Sequence, residues 1–151
     1  MTVTSLRAQE NVEDSRWETA VRCIKKYEGW HGPEHHPYVA YGHRIRKGEK
    51  FPVCLTESEG DSILRKDLKE MCALFRHLGK DSLLVACLAY QVGPYKLLGY
   101  GRIPKSTLIR KLEAGNRDIY ADFIRYCHYK GKKILSIERR RKEEYRLLFM
   151  P

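Results

Sequence analysis

The chain has 151 residues, a formal net charge of +10, 42% hydrophobic and 32% charged residues. That length suits one domain with its own core, and that balance excludes a disordered or fibrous chain. No apolar run approaches the ~18 residues of a membrane span and no secretory h-region opens the sequence, so a cytoplasmically made protein without a recognisable signal peptide or membrane span is expected.

The positive charge calls for an anionic partner: nucleic acid, membrane surface or bacterial wall. Its local clusters, at residues 44–50, 130–133 and 139–142, are diluted by Glu49, Glu138 and Glu143. No helix-turn-helix, RNP or zinc-finger pattern accompanies them, so nucleic acid is not the expected partner. The five cysteines (Cys23, Cys54, Cys72, Cys87 and Cys127) are odd in number and form no C-x-x-C pair. That argues for reduced thiols, against a disulfide framework or a zinc site, and for no cofactor.

In chain order, residues 1–14 are polar and read as a flexible arm. Ser15 and Glu18 form a capping box, and Trp17, Ala20, Val21 and Ile24 keep helical spacing, which predicts a helix over about 16–27 that stops at Gly29. Residues 29–51 hold the strand material: Gly32-Pro33 breaks the chain, Tyr38-Val39-Ala40-Tyr41 is β-prone, and Lys47-Gly48 is a turn. Thr56 and Glu59 make a second capping box, followed by the face Ile63, Leu64, Leu68, Met71, Cys72 and Phe75. Residues 82–92 (SLLVACLAYQV) are apolar nearly all round, as in a buried central helix. Ser106 caps a short helix ending at Gly115, Tyr120, Phe123, Ile124 and Cys127 define another, and Ser136 caps a last one carrying Arg139-Arg140-Arg141. The expected class is α+β and mainly helical: one N-terminal helix, a small antiparallel hairpin, then a helical bundle, with residues 15–151 as one domain and a monomer as the expected state.

Glu28 stands where the first helix gives way to the loop. Partial negative charge at a helix C-terminus disfavours a carboxylate, and Tyr27, Trp30 and Tyr38 are placed to desolvate it; Lys25 and Lys26 oppose both if they face it. A carboxyl group kept protonated near neutral pH can protonate a glycosidic oxygen.

Residues 24–29 (IKKYEG), followed by Tyr38-Val39-Ala40-Tyr41-Gly42-His43, resemble the phage-type lysozymes of glycoside hydrolase family 24, in which a helix ending in Glu-Gly leads into a hairpin with a Gly-x-Gly-His-like strand. The resemblance continues through Thr56-Glu57-Ser58-Glu59 with Asp67-Leu68, through Ala89-Tyr90-Gln91-Val92-Gly93, and through residues 134–148 with their Arg139-Arg140-Arg141 and Glu144. The wording GYGRIPKS and YKGK is similar to lysozyme-like proteins of the Bacteroidetes. The resemblance implies a lysozyme-like fold, Glu28 as catalytic acid, peptidoglycan glycan strands as partner and the bacterial cell wall as the site of action.

Family members commonly place an Asp and then a Thr between the catalytic Glu and the Gly-His pair. Here Tyr38 takes the Thr position, and Glu34 is the one carboxylate between Glu28 and His43. Three mechanisms stay open. Glu34 acts as base across ~6.5–9.5 Å in an inverting hydrolysis; His43 or His36 handles the water; or the sugar's own 6-hydroxyl attacks, in a lytic transglycosylase. Loss of the chemistry, leaving a wall-binding module, is a further reading, and a basic nucleic-acid-binding protein that uses the same charge is another. Trp30, His31, Tyr38 and Tyr41 are candidate sugar-contacting residues, since aromatic faces stack on sugar rings and imidazole or phenol groups bond hydroxyls. Gln91 is a candidate substrate contact or simply part of a helix end. Pro33 keeps His31, His35 and His36 from the i,i+4 helical presentation of a zinc helix, so no metal is expected. The run Arg139 to Arg141 reads chiefly as a helix face paired with neighbouring acids.

Overall fold

The computed structural model describes residues 2–151. The chain forms two compact units, the first ending at Glu70 and the second, Met71–Pro151, beginning inside a helix. Each is mainly helical, and each carries one small antiparallel ladder.

In the first unit α1 spans Val3–Glu28. Of the stretch expected as a flexible arm, residues 3–14 are helical and exposed throughout, and residue 1 lies outside the described residues. No glycine or proline interrupts residues 3–28, and Leu6, Arg7, Ala8, Gln9 and Glu10 are good helix formers. Extending a helix already held by buried Ala20, Val21, Cys23 and Ile24 avoids the cost of a new nucleus. Ser15 therefore lies inside the helix, its carbonyl accepting from the Thr19 hydroxyl (2.9 Å), while Glu18 takes the Arg65 guanidinium at 2.6 Å. The helix stops at Gly29, as its sequence predicts; φ there is 67° and its N–H bonds the Lys25 carbonyl.

After a 3-10 turn at Pro33–His35 come β1 (Tyr38–Val39) and β2 (His43–Arg44), paired Tyr38 with Arg44 and Val39 with His43. The hairpin is tighter than the β-prone run suggests, because Ala40 and Gly42 both turn through positive φ. Helix α2 (Glu57–Leu74) opens with the expected cap, Glu59 N–H donating to Thr56 Oγ1 at 3.1 Å. Lys25 Nζ reaches Glu57 (2.8 Å) and Asp61 (2.6 Å), and Arg65 joins Asp61 to Glu18, so a chain of ion pairs ties α1 to the start of α2.

The second unit is built on α3 (Ser82–Val92), whose residues from Leu83 to Ala89 are all buried. The same unit holds α4 (Tyr95–Leu98), α5 (Thr107–Glu113), α6 (Tyr120–Ile124) and α7 (Leu135–Leu148); α7 packs on both α3 and α6, and α5 on α4 and α6. Ser106 caps α5 as expected, its hydroxyl accepting from Ile109 N–H at 3.2 Å. A second ladder, β3 (His128–Tyr129) with β4 (Lys132–Lys133), has no counterpart among the elements expected from the sequence. Its turn residues Lys130 and Gly131 both have positive φ, the geometry of a two-residue hairpin turn. Among the described residues no helix is long and apolar enough to cross a membrane.

The arginine run on α7 does what its charge pattern predicts. Arg140 and Arg141 are buried with Glu144, at 2.8 Å and 3.2 Å from its carboxylate, while Arg139 faces outward. One turn earlier Glu138 is held between Lys133 and Lys142, whose hydrogen bonds bring its carboxyl down to about 2. A carboxyl lowered on folding stabilises the fold above its unfolded value, and that contribution disappears as pH falls toward 2. In an NMR titration Glu138 is expected to keep its charge to about pH 2 and to return to the ordinary carboxylate range in the Lys133→Gln/Lys142→Gln protein; an unchanged midpoint would refute the pairing.

Candidate active site

Glu28 is the last residue of α1 and is half-buried. Its carboxylate stands against the hairpin turn: a Cβ placed on Gly42 would lie 2.8 Å from Glu28 Oε2. Gly42 therefore has two reasons to be glycine, its φ of 89° and the close approach of the acid. Two lysines precede the acid on the last turn of α1. Lys25 pairs with Glu57 and Asp61, and Lys26 lies over the Tyr27 ring, 5.1 Å from its centre.

His43, one residue beyond Gly42, is 5% exposed. Its Nδ1 lies 2.6 Å from Asp67 on α2, and its Nε2 2.9 Å from Glu49 in the loop after β2. Glu49 also accepts the backbone N–H of Arg46 (2.6 Å), and the Arg46 guanidinium bonds Glu70 at 2.8 Å. Glu49's carboxyl is held below the usual range, first by its bond to His43. With both ring nitrogens engaged by carboxylates, His43 presents neither to a water molecule. The bond to Asp67 clamps the hairpin to α2.

Trp30, His31 and Tyr38 come together on the wall of a cleft of about 300 Å³ that also includes His36, Phe51 and Leu55. The His31 ring is held by its Nδ1 at 3.2 Å from the Ala40 carbonyl, and the Tyr38 and His35 rings lie near it. Trp30 presses onto Gly60 of α2, where a Cβ would come within 2.5 Å of the indole. Tyr38 is 42% exposed and Trp30 41%, enough to present a flat face to a ligand.

Two other candidates are turned elsewhere. Tyr41 packs edge-on against Trp30 (centroids 5.2 Å apart), donates its hydroxyl to Glu57 at 3.1 Å and carries Lys25 over its ring. Burial, then that bond, raises its phenol above the ordinary value. It joins the α1–α2 ion-pair chain rather than the cleft wall. Gln91, in the second unit, accepts a hydrogen bond from Arg141, which favours the structural reading of this helix end. Glu34 is 68% exposed in the 3-10 turn, its carboxylate folded back over Gly32 and 3.2 Å from His35 Nδ1. Among the described residues no group of three or more His, Cys, Asp or Glu could hold a metal ion.

Sequence reasoning missed Asp67 and Glu49 as the partners of His43, and Gly60 as the seat of Trp30. The one local signal was Gly42-His43 itself, a turn glycine followed by a histidine that must be paired once buried.

The profile of the Phage lysozyme family matches residues 24–144. Among solved structures, the muramidase domain of SpmX from Asticaccaulis excentricus is similar in fold, with a TM-score of 0.67 and 18% identity over 88% of this chain and 96% of that one. Curated proteins give no significant sequence match.

Proposed function

Because the chain belongs to the phage lysozyme family and is a peptidoglycan-cleaving glycoside hydrolase, we propose that it cuts the MurNAc–GlcNAc backbone with Glu28 as general acid. The observation that carries this is the half-buried Glu28 carboxyl at the end of α1, set against the bare backbone of Gly42. Glu28 gives its proton to the glycosidic oxygen as the bond to C1 breaks, and the sugar ring passes through an oxocarbenium-like state. Water then attacks C1, and its proton goes to Glu34, the carboxylate on the loop between Glu28 and His43. Trp30, His31 and Tyr38 hold a sugar ring in the cleft that they line. His43 is a positioning residue, and the protein works on the cell wall as a monomer.

Mass spectrometry of digested peptidoglycan tests this reading. Hydrolysis leaves reducing MurNAc ends, whereas anhydro ends would replace it with transglycosylation. Glu34→Gln is expected to slow the reaction about 100-fold, the usual scale for losing a general base; a full rate would remove Glu34 from the mechanism.

A further inference from the structure

The net charge is not shared between the two units. Residues 1–70 hold 12 Lys and Arg and 12 Asp and Glu, whereas residues 71–151 hold 17 and 7, so the whole excess lies on the second unit. Most of the buried and half-buried cations there are paired: Lys111 with Asp122, Arg117 with Asp81, and Arg140 and Arg141 with Glu144.

Exposed cations of the same unit converge on one groove, of about 380 Å³. Lys96 of α4, Lys105, Arg110 of α5 and Arg125 after α6 surround it, and no acidic residue lines it. Lys105 is joined to Glu113 at 2.8 Å, but among the described residues Lys96, Arg110 and Arg125 have no carboxylate partner. Thr107 adds a hydroxyl, and Ile103 and Tyr126 add apolar wall.

Converging cations of like sign repel one another, an arrangement that a bound anion relieves. Two guanidinium forks and an ammonium offer more donors than a single carboxylate can accept, whereas successive phosphates along a chain use all three. We propose that this groove grips the phosphodiester backbone of an anionic wall polymer, anchoring the enzyme beside its substrate. The choice of a wall polymer as the source rests on the lysozyme reading; the phosphate chemistry does not. A nucleic acid fits less well, since Tyr126 alone offers a face for base stacking. A concave groove also suits a strand better than a flat bilayer surface.

Binding of poly(glycerol phosphate) to the intact protein tests the proposal without any glycosidase step, so its failure is separable from failure of the lytic reading. Salt-sensitive binding is expected, weakened about tenfold or more in Lys96→Gln/Arg110→Gln/Arg125→Gln, as three lost phosphate contacts require. A matched triple elsewhere on the same unit, Lys130→Gln/Lys132→Gln/Arg139→Gln, is expected to weaken it less than about threefold while removing the same charge. Both triples should cleave short uncharged glycans at the wild-type rate. If the first triple does not fold, amide shifts of Thr107 and Tyr126 in the titrated wild-type protein decide the matter instead. Equal losses in the two triples would overturn the proposal, as would unmoved Thr107 and Tyr126 amides. So would tighter binding of poly(glutamate), a single-stranded oligonucleotide or phosphatidylglycerol vesicles.

Discussion

Glu28→Gln is expected to fold normally and to clear purified peptidoglycan about a thousandfold more slowly, within the range general acid catalysis supplies. The amide has the shape of the acid, so the contact with Gly42 and the end of α1 are kept, but it has no acidic proton for the leaving oxygen. Glu28→Asp separates chemistry from position: the acid remains, one methylene short of its place beside Gly42. Its rate is expected to lie between wild type and Glu28→Gln. Gly42→Ala approaches from the other side, placing a methyl 2.8 Å from Glu28 Oε2 at a φ of 89°, and should cost activity through the acid's position. Turbidity clearing gives the rates, and circular dichroism with thermal melting checks the fold. A Glu28→Gln protein that clears at the wild-type rate would end the assignment.

The second large effect is on stability. Glu144 is fully buried and serves both Arg140 and Arg141, themselves 2% and 0% exposed. Glu144→Ala leaves two guanidinium groups without their shared countercharge, which typically costs about 3–5 kcal/mol. At this chain length that is a fall in Tm of roughly 10 °C. Glu144→Gln keeps an acceptor oxygen but loses the charge and should fall less far. Surface pairs do not compare: cutting Lys142 from Glu138 should move Tm by no more than about 2 °C. Differential scanning calorimetry decides it, and a Glu144→Ala melt within about 2 °C of wild type would show that the cluster contributes little.

The features legible in the residues alone were those encoded by near neighbours. Helix α3 follows from an unbroken apolar run, the caps at Thr56 and Ser106 from a hydroxyl three residues before a free N–H, and the stop at Gly29 from a residue that tolerates positive φ. Glu28 at that stop, the hairpin after it and the mainly helical α+β class were legible for the same reason. Two local features were not. Residues 3–14 lack an apolar stripe, yet they continue a helix anchored further on, and the His128–Lys133 turn is too short to leave a periodic signal.

Side-chain roles depended on partners that chain proximity does not supply. His43 looked reactive until Asp67, 24 residues away, and Glu49 took both its nitrogens. Tyr41 looked like a sugar contact until Glu57 claimed its hydroxyl, and Gln91 until Arg141, 50 residues on, claimed its oxygen. A buried polar atom must be satisfied by whatever group packing brings within about 3 Å, and only the folded chain selects that group. Helices, turns and the position of the acid were therefore written locally; which groups clamp, which line the cleft and which cations remain unpaired was decided by tertiary structure.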